Sequence, residues 1–361
     1  MVVKSLDLKN FRNYHELHID FDPFTNIFYG NNAQGKTNIL ESVYLGGTTK
    51  SHKGSKDRDM ITFTEEESHI RMLVQKKNLT RRIDMHLKKN KTKGIAVDGI
   101  PIKKASELFG IVNLVFFSPE DLNIIKNGPS ERRRFIDLEL CQLDKIYFHN
   151  LSNYNKILIQ RNKLLKDIAF HPEWMDTLEI WDMQLAGYGS KIIKRRHSFV
   201  EQLGEIAGDI HENLTGGREH LSLLYEPDCP ADALYEQLKK NRDKDIRYKM
   251  TSQGPHRDDL CMQVKDVDIR KFGSQGQQRT SALTLKLSEI ELVKRVIHDT
   301  PVLLLDDVLS ELDSSRQNYL LNSIHDIQTL ITCTGLDEFI SNRFTINRIF
   351  RVEEGTVTTE N

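Results

Sequence analysis

The run Gly30-Asn31-Asn32-Ala33-Gln34-Gly35-Lys36-Thr37 follows the strand-like stretch Thr25 to Tyr29 and opens a segment with Leu40, Val43 and Tyr44 at helical spacing. Strand, glycine-spaced loop and helix in that order confine the fold more than any other feature, because the loop must close tightly and end at a helix N-terminus. Its glycines allow the backbone to wrap phosphate oxygens. Successive N–H groups and the helix start supply positive potential. Lys36 would add a mobile charge for the β and γ phosphates, and Thr37 would place its hydroxyl on Mg²⁺. All eight residues are therefore candidate nucleotide ligands.

Val302-Leu303-Leu304-Leu305-Asp306-Asp307 is a continuous apolar run ending in two carboxylates, as expected of a parallel strand buried on both faces. Such a strand alone is ordinary core. Beside Lys36 and Thr37 it reads as the second half of a triphosphate site, with Asp306 on Mg²⁺ and Asp307 orienting or deprotonating the attacking water. Asp307 and Lys36 are the catalytic candidates, and Thr37 and Asp306 the metal candidates.

Loop and strand together still describe many phosphotransferases, so residues 273 to 289 decide the class. Ser274-Gln275-Gly276-Gln277 precedes a helix carrying Leu283, Leu285, Leu287 and Ile290. A Ser there is equally an ordinary N-cap. The position is nevertheless where ABC-type ATPases, which this chain resembles, carry their signature. Ser274 and the N–H groups at that helix start would form a second anion site for the γ-phosphate of another protomer. Ser310-Glu311-Leu312-Asp313 resembles the D-loop at the seam of two such protomers, with Ser310 and Asp313 as its candidates. An ATP-dependent homodimer is the expectation.

Around these motifs the chain divides. Val2 to Leu8 and Leu17 to Phe21 read as strands about a polar turn, and Ile61 to Val97 alternates as antiparallel strands with one wet face. Val112 to Phe117 is a solid apolar strand. From Pro129 to about Leu165 and from about Trp174 to Leu214 the period is helical, broken at His171-Pro172 and ended by Gly216-Gly217. Two helices of about 45 Å would form a hairpin. The expected architecture is α/β: an ABC-type P-loop ATPase lobe of mixed sheets plus helices (1–117 with 246–361) and an inserted α-helical lobe, a short antiparallel arm (118–245).

The stretches between the motifs carry a more specific resemblance. Asn10-Phe11-Arg12-Asn13-Tyr14, Phe117-Ser118-Pro119-Glu120-Asp121-Leu122, Gly128-Pro129, Arg132-Arg133-Arg134-Phe135-Ile136-Asp137, Gly254-Pro255-His256-Arg257-Asp258-Asp259 and Ser274 to Arg279 resemble the RecF family over nearly the whole chain. RecF-like proteins are compact relatives of the SMC chromosome ATPases. The resemblance implies slow ATP hydrolysis and binding to gapped or single-strand/duplex junction DNA in recombinational repair. It also implies RecR and RecO as partners, acting toward RecA. Two departures from the wider ABC pattern stand out: Asp307 where most members have Glu, and no Q-loop glutamine after Phe117. The switch histidine is also missing, which leaves Thr332 or Thr334 as a contact near the γ-phosphate. His256 and Arg257 read as functional or as a polar turn.

Formal net charge is −1, so DNA binding must rest on local patches. The candidates are Arg132, Arg133, Lys194 and Arg195, within the runs Arg132-Arg133-Arg134 and Lys191 with Lys194-Arg195-Arg196, and further runs lie at Lys76-Lys77, Arg81-Arg82, Lys88-Lys89, Lys91 and Lys93. Cys141, Cys229, Cys261 and Cys333 lack metal-site or disulfide spacing and suit a reducing cytosol. No apolar run is long enough to span a membrane, and the start lacks a secretory signal. The alternative, a motor subunit of an ABC transporter, would call for L-S-G-G-Q, a Q-loop and a switch histidine.

Overall fold

The computed structural model describes residues 1–168, 170–336 and 345–360. In chain order it begins with strands β1 (Val2–Phe11), β2 (Tyr14–Asp20) and β3 (Thr25–Tyr29), then helix α1 (Lys36–Thr48). Strands β4 (Glu67–Lys76), β5 (Leu79–Lys88), β6 (Lys91–Val97), β7 (Ile100–Pro101) and β8 (Leu114–Phe117) follow. Helices α2 (Leu122–Lys126), α3 (Pro129–Leu143), α4 (Lys145–Asp167) and α5 (Leu178–Thr215) lead to β9 (Leu221–Glu226), α6 (Leu234–Lys240) and α7 (Arg242–Tyr248). Next come β10 (Asp259–Val264), β11 (Val267–Asp268), α8 (Ile269–Phe272) and α9 (Gln275–Ile297). The chain closes with β12 (Val302–Asp306), α10 (Ser314–Ser323), β13 (Thr329–Cys333), β14 (Arg348–Glu353) and β15 (Thr356–Glu360).

Two compact units result, Met1–Asp121 with Glu289–Asn361, and Leu122–Ser288. The first holds two six-stranded sheets, β2-β1-β4-β5-β6-β7 and β15-β14-β3-β13-β12-β8. The former is antiparallel throughout. In it β4 buries Ser68, Ile70, Met72 and Val74 while Glu67, His69 and Arg71 face water, the alternation of a half-wet strand. In the other sheet, β12 lies parallel between β8 and β13, and all five of its residues are buried. One apolar core, with Leu6, Leu40, Val43, Met72, Leu304 and Phe350 among its members, joins both sheets to α1. Gly46 and Gly47 let α1 approach closely on two sides. A Cβ at Gly46 would meet the Met72 side chain at 2.9 Å, and one at Gly47 would meet Leu114 at 2.5 Å.

The second unit departs from the expected helical lobe of 118–245. It extends to Ser288 and contains a three-stranded sheet, β11-β10-β9. The reason is β9, whose Leu221 and Leu223 are buried and pair with Val264 and Met262 of β10, tying the chain after Met250 to this unit. The helical run from Pro129 is two helices. Asp144 ends α3 and caps α4, accepting from the N–H groups of Ile146 and Tyr147. Contacts Asp144 to Arg195 and Arg161 to Asp182 run in opposite senses along α4 and α5, so the two are antiparallel. They are unequal, 23 and 38 residues, the longer spanning about 57 Å. Gly216 at φ 63° stops α5 where expected.

The four cysteines are buried thiols outside any disulfide. Among the described residues no helix is long and apolar enough to cross a membrane.

Candidate nucleotide site and family

The parallel sheet brings β3, β12 and β13 side by side, so the loop after β3 and the carboxylates ending β12 meet at the carboxyl edge, where open α/β sheets bind ligands. Thr37, at the start of α1, donates to Asp306 Oδ1 at 2.7 Å, although the two lie 269 residues apart in sequence. The Thr332 hydroxyl donates to the same oxygen at 2.8 Å and accepts from the Asp307 N–H at 3.0 Å. Thr332 is buried, and its contacts hold the Asp306 carboxylate and the Asp307 backbone; Thr334 is exposed.

Lys36 donates to the loop carbonyls of Gly30 and Asn31 at 2.5 and 2.8 Å. Burial lowers its pKa, while Asp307 and Asp306 act to raise it. Asp307 is raised by burial, with Lys36 opposing and Asp306 and Glu311 reinforcing. Its backbone φ of 54° lies in the left-handed region, a strain that active sites retain when the surroundings fix it. Gly35, at φ 112°, has no room for a side chain, since a Cβ would lie 2.5 Å from Asn13 Nδ2 and 2.8 Å from the Tyr14 hydroxyl.

That crowding comes from the β1–β2 turn, whose grip on the loop sequence reasoning did not assign. Tyr14 donates to the Gly35 carbonyl at 3.1 Å and Asn13 Nδ2 to the Gln34 carbonyl at 3.0 Å. Asn13 Oδ1 in turn accepts from Asn38 of α1 at 2.8 Å. Arg12 clamps Glu41 of α1 through two 2.9 Å hydrogen bonds. Only the presence of these residues in one polar turn, some twenty positions before the loop, hinted at the grip.

In the second unit, Ser274 and Gln277 form a reciprocal capping box at the start of α9. The Ser274 N–H donates to Gln277 Oε1 at 2.9 Å, and the Gln277 N–H to Ser274 Oγ at 3.2 Å. Ser274, Gln275 and Gly276 are exposed, so this helix start is presented to solvent. On the first unit, exposed Ser310 donates to the Asp307 carbonyl at 2.9 Å, and Asp313 caps α10.

The DNA candidates need correction. Arg132 is buried, paired with Asp259 at 2.6 Å and bonded to the Ile124 and Asn127 carbonyls, so no phosphate can reach it. Arg133 donates to the Asp258 carbonyl at 2.6 Å. Arg195 pairs with Asp144 and Lys194 with Asp232, Lys194 remaining on the surface. Arg81, Arg82, Lys88, Lys89 and Lys93 likewise have acidic neighbours. His256 is bonded within the second unit. Its Nδ1 faces the Tyr154 hydroxyl at 2.7 Å and its Nε2 the Thr251 carbonyl at 3.2 Å, and burial lowers its pKa to about 4. Arg257 stays exposed. Asp121 accepts from the Ser118 N–H, closing the turn after β8.

The family model described as RecF/RecN/SMC N terminal domain matches residues 2–358. The "DNA replication and repair protein RecF" of Lachnospira eligens is 66% identical over 363 residues, covering 100% of both chains. The chain belongs to the RecF family. A solved structure described as the recombination mediator protein RecF-ATP in the RecFOR pathway shares 36% identity and a TM-score of 0.93 over 99% of this chain and 97% of that one. An Smc head bound to the C-winged helix domain of ScpA aligns at a TM-score of 0.58 and 16% identity, covering 100% of this chain and 97% of that one, a likeness of fold alone. RecF membership thus fixes the α/β fold as that of the RecF and SMC-head ATPases.

Proposed function

We propose that this chain is an ATP-dependent DNA-binding protein of recombinational repair and replication-fork maintenance, dimerised by ATP around gapped or junction DNA. The observation that carries the reading is the 2.7 Å contact of Thr37 with Asp306, which joins the phosphate loop to the acidic strand end. Two hard oxygens so placed suit Mg²⁺. When bound, Mg²⁺ would neutralise charge on the β and γ phosphates. Gly30 to Thr37 would surround the triphosphate, Lys36 would hold its terminal phosphates, and Asp307 would orient the attacking water. Asp307 is one methylene shorter than the usual Glu, which favours slow turnover. Ser274, Gln275 and Gly276, exposed at a helix start, and the half-buried Gln277 would take the γ-phosphate of a second copy, with Ser310 and Asp313 at the seam.

A RecF relative at 36% identity has been solved with ATP, which supports ATP as the ligand, and its RecFOR description supports RecR and RecO as partners toward RecA loading. RecF membership leaves the transporter-motor alternative without support. Each phosphate contact releases counterions, so DNA affinity should fall with salt at a log–log slope of about −0.9 per phosphate neutralised. The test is binding to a gapped duplex with and without ATP. Wild type should bind more tightly with ATP, and Lys36→Met should bind equally weakly in both. ATP-independent binding, or an unaffected Lys36→Met, would remove the nucleotide from the mechanism.

A further inference from the structure

The wet face of the antiparallel sheet carries a donor cluster that the nucleotide site does not use. The β4–β5 ladder sets His69 directly opposite His86, and Glu67 stands two residues before His69, on the same face. The two imidazoles stack with centroids 4.0 Å apart. His86 Nε2 lies 3.0 Å from Glu67 Oε2, and His69 Nε2 lies 3.7 Å from Glu67 Oε1. All three donor atoms fall within 4.8 Å of one another. Tetrahedral zinc, with bonds of about 2.0–2.1 Å, needs donors about 3.3 Å apart, so small rotamer changes would close the site. On β6 the residue facing His86 is Gly94, which keeps the space beside that imidazole clear. A surface cavity of about 490 Å³ is bordered by His69, His86 and Gly94.

We propose that Glu67, His69 and His86 form a divalent transition-metal site of the zinc class, with a fourth position left to water. Two imidazoles and one carboxylate suit Zn²⁺ and disfavour Mg²⁺ and Ca²⁺, which take oxygen ligands. Lys88, 3.4 Å from Glu67 Oε2, would lose that contact, but an exposed ion pair of this kind contributes little. The bound ion would pin β4 to β5 from the solvent side.

The test uses the full chain, stripped with chelator and free of nucleotide, titrated with Co²⁺ while its visible ligand-field absorption is followed, then with Zn²⁺ in competition. One equivalent should bind, and excess Mg²⁺ should not displace it. His69→Ala and His86→Ala should each weaken binding at least about tenfold, and Glu67→Gln should do the same. His18→Ala is the control, a histidine of the same sheet contacting Asp7 and Asp20, and it should bind as wild type does. These substitutions fall on the solvent face, and circular dichroism verifies that each variant is folded. Absence of saturable binding at millimolar Zn²⁺ would overturn the proposal. Equal binding by the His69→Ala/His86→Ala double variant, or an equal loss in His18→Ala, would do so too.

Discussion

Burial raises the pKa of Asp307, Lys36 pulls it back, and Asp306 and Glu311 add to the rise. In an unfolded chain the same carboxyl ionises near about 3.9. A folded pKa above that value means that ionised Asp307 costs stability at neutral pH, a cost that disappears below the unfolded pKa. Asp307→Asn should therefore raise the melting temperature at pH 7, with the gain fading as pH falls through the folded pKa toward the ordinary carboxylate range. Asn also tolerates the left-handed backbone at this position. The same variant should keep ATP binding and lose about 10²-fold or more in hydrolysis, the range for a missing acid–base group. Steady-state phosphate release and thermal melts measure both. Wild-type turnover in the variant would remove Asp307 from catalysis. At this scale the phosphate loop and the β12 carboxylates could be read from sequence, because their spacing is fixed by the covalent chain. The grip of Arg12, Asn13 and Tyr14 could not, since it depends on which residues the folded turn meets.

Helices α4 and α5 are held by a buried ionic cluster as well as by apolar packing. Arg161 is fully buried, paired with Asp182 and Asp245 at 2.7 Å each and bonded to Thr251 at 2.8 Å. Arg242 shares Asp182 at 2.6 Å. Removing one partner of such a pair leaves buried charge uncompensated, so Arg161→Ala should cost about 3–5 kcal/mol in denaturant unfolding. A loss below 1 kcal/mol, well short of that range, would mean that the cluster contributes little. Helical periodicity revealed these helices, yet the joint at Asp144 was smoothed over because apolar spacing continues across it. Strand β9 was missed for a related reason. Six residues between a helix end and a proline-containing loop carry too short a pattern, and only pairing with β10 makes them a strand. The basic runs misled in the same way, since Arg132 has its acidic partner 127 positions away.

For the molecule as a whole, the sequence pattern carried the order of the motifs, and with it the α/β class. It misplaced the boundary by assigning residues 246–288 to the ATPase lobe, although β10, β11 and the start of α9 belong with the helices. The signature box therefore stands on one compact unit and the phosphate loop on the other. Ser274→Arg should leave ATP binding by one copy intact and block assembly of two, because a long cation at the exposed helix start would obstruct the partner's phosphate. The most direct measurement is molar mass by light scattering with Mg²⁺ and a slowly hydrolysed ATP analogue, for wild type and Ser274→Arg side by side. Wild type should show twice the monomer mass and the variant the monomer mass. A wild-type chain that stays monomeric under saturating nucleotide, or a variant that dimerises equally well, would contradict this expectation.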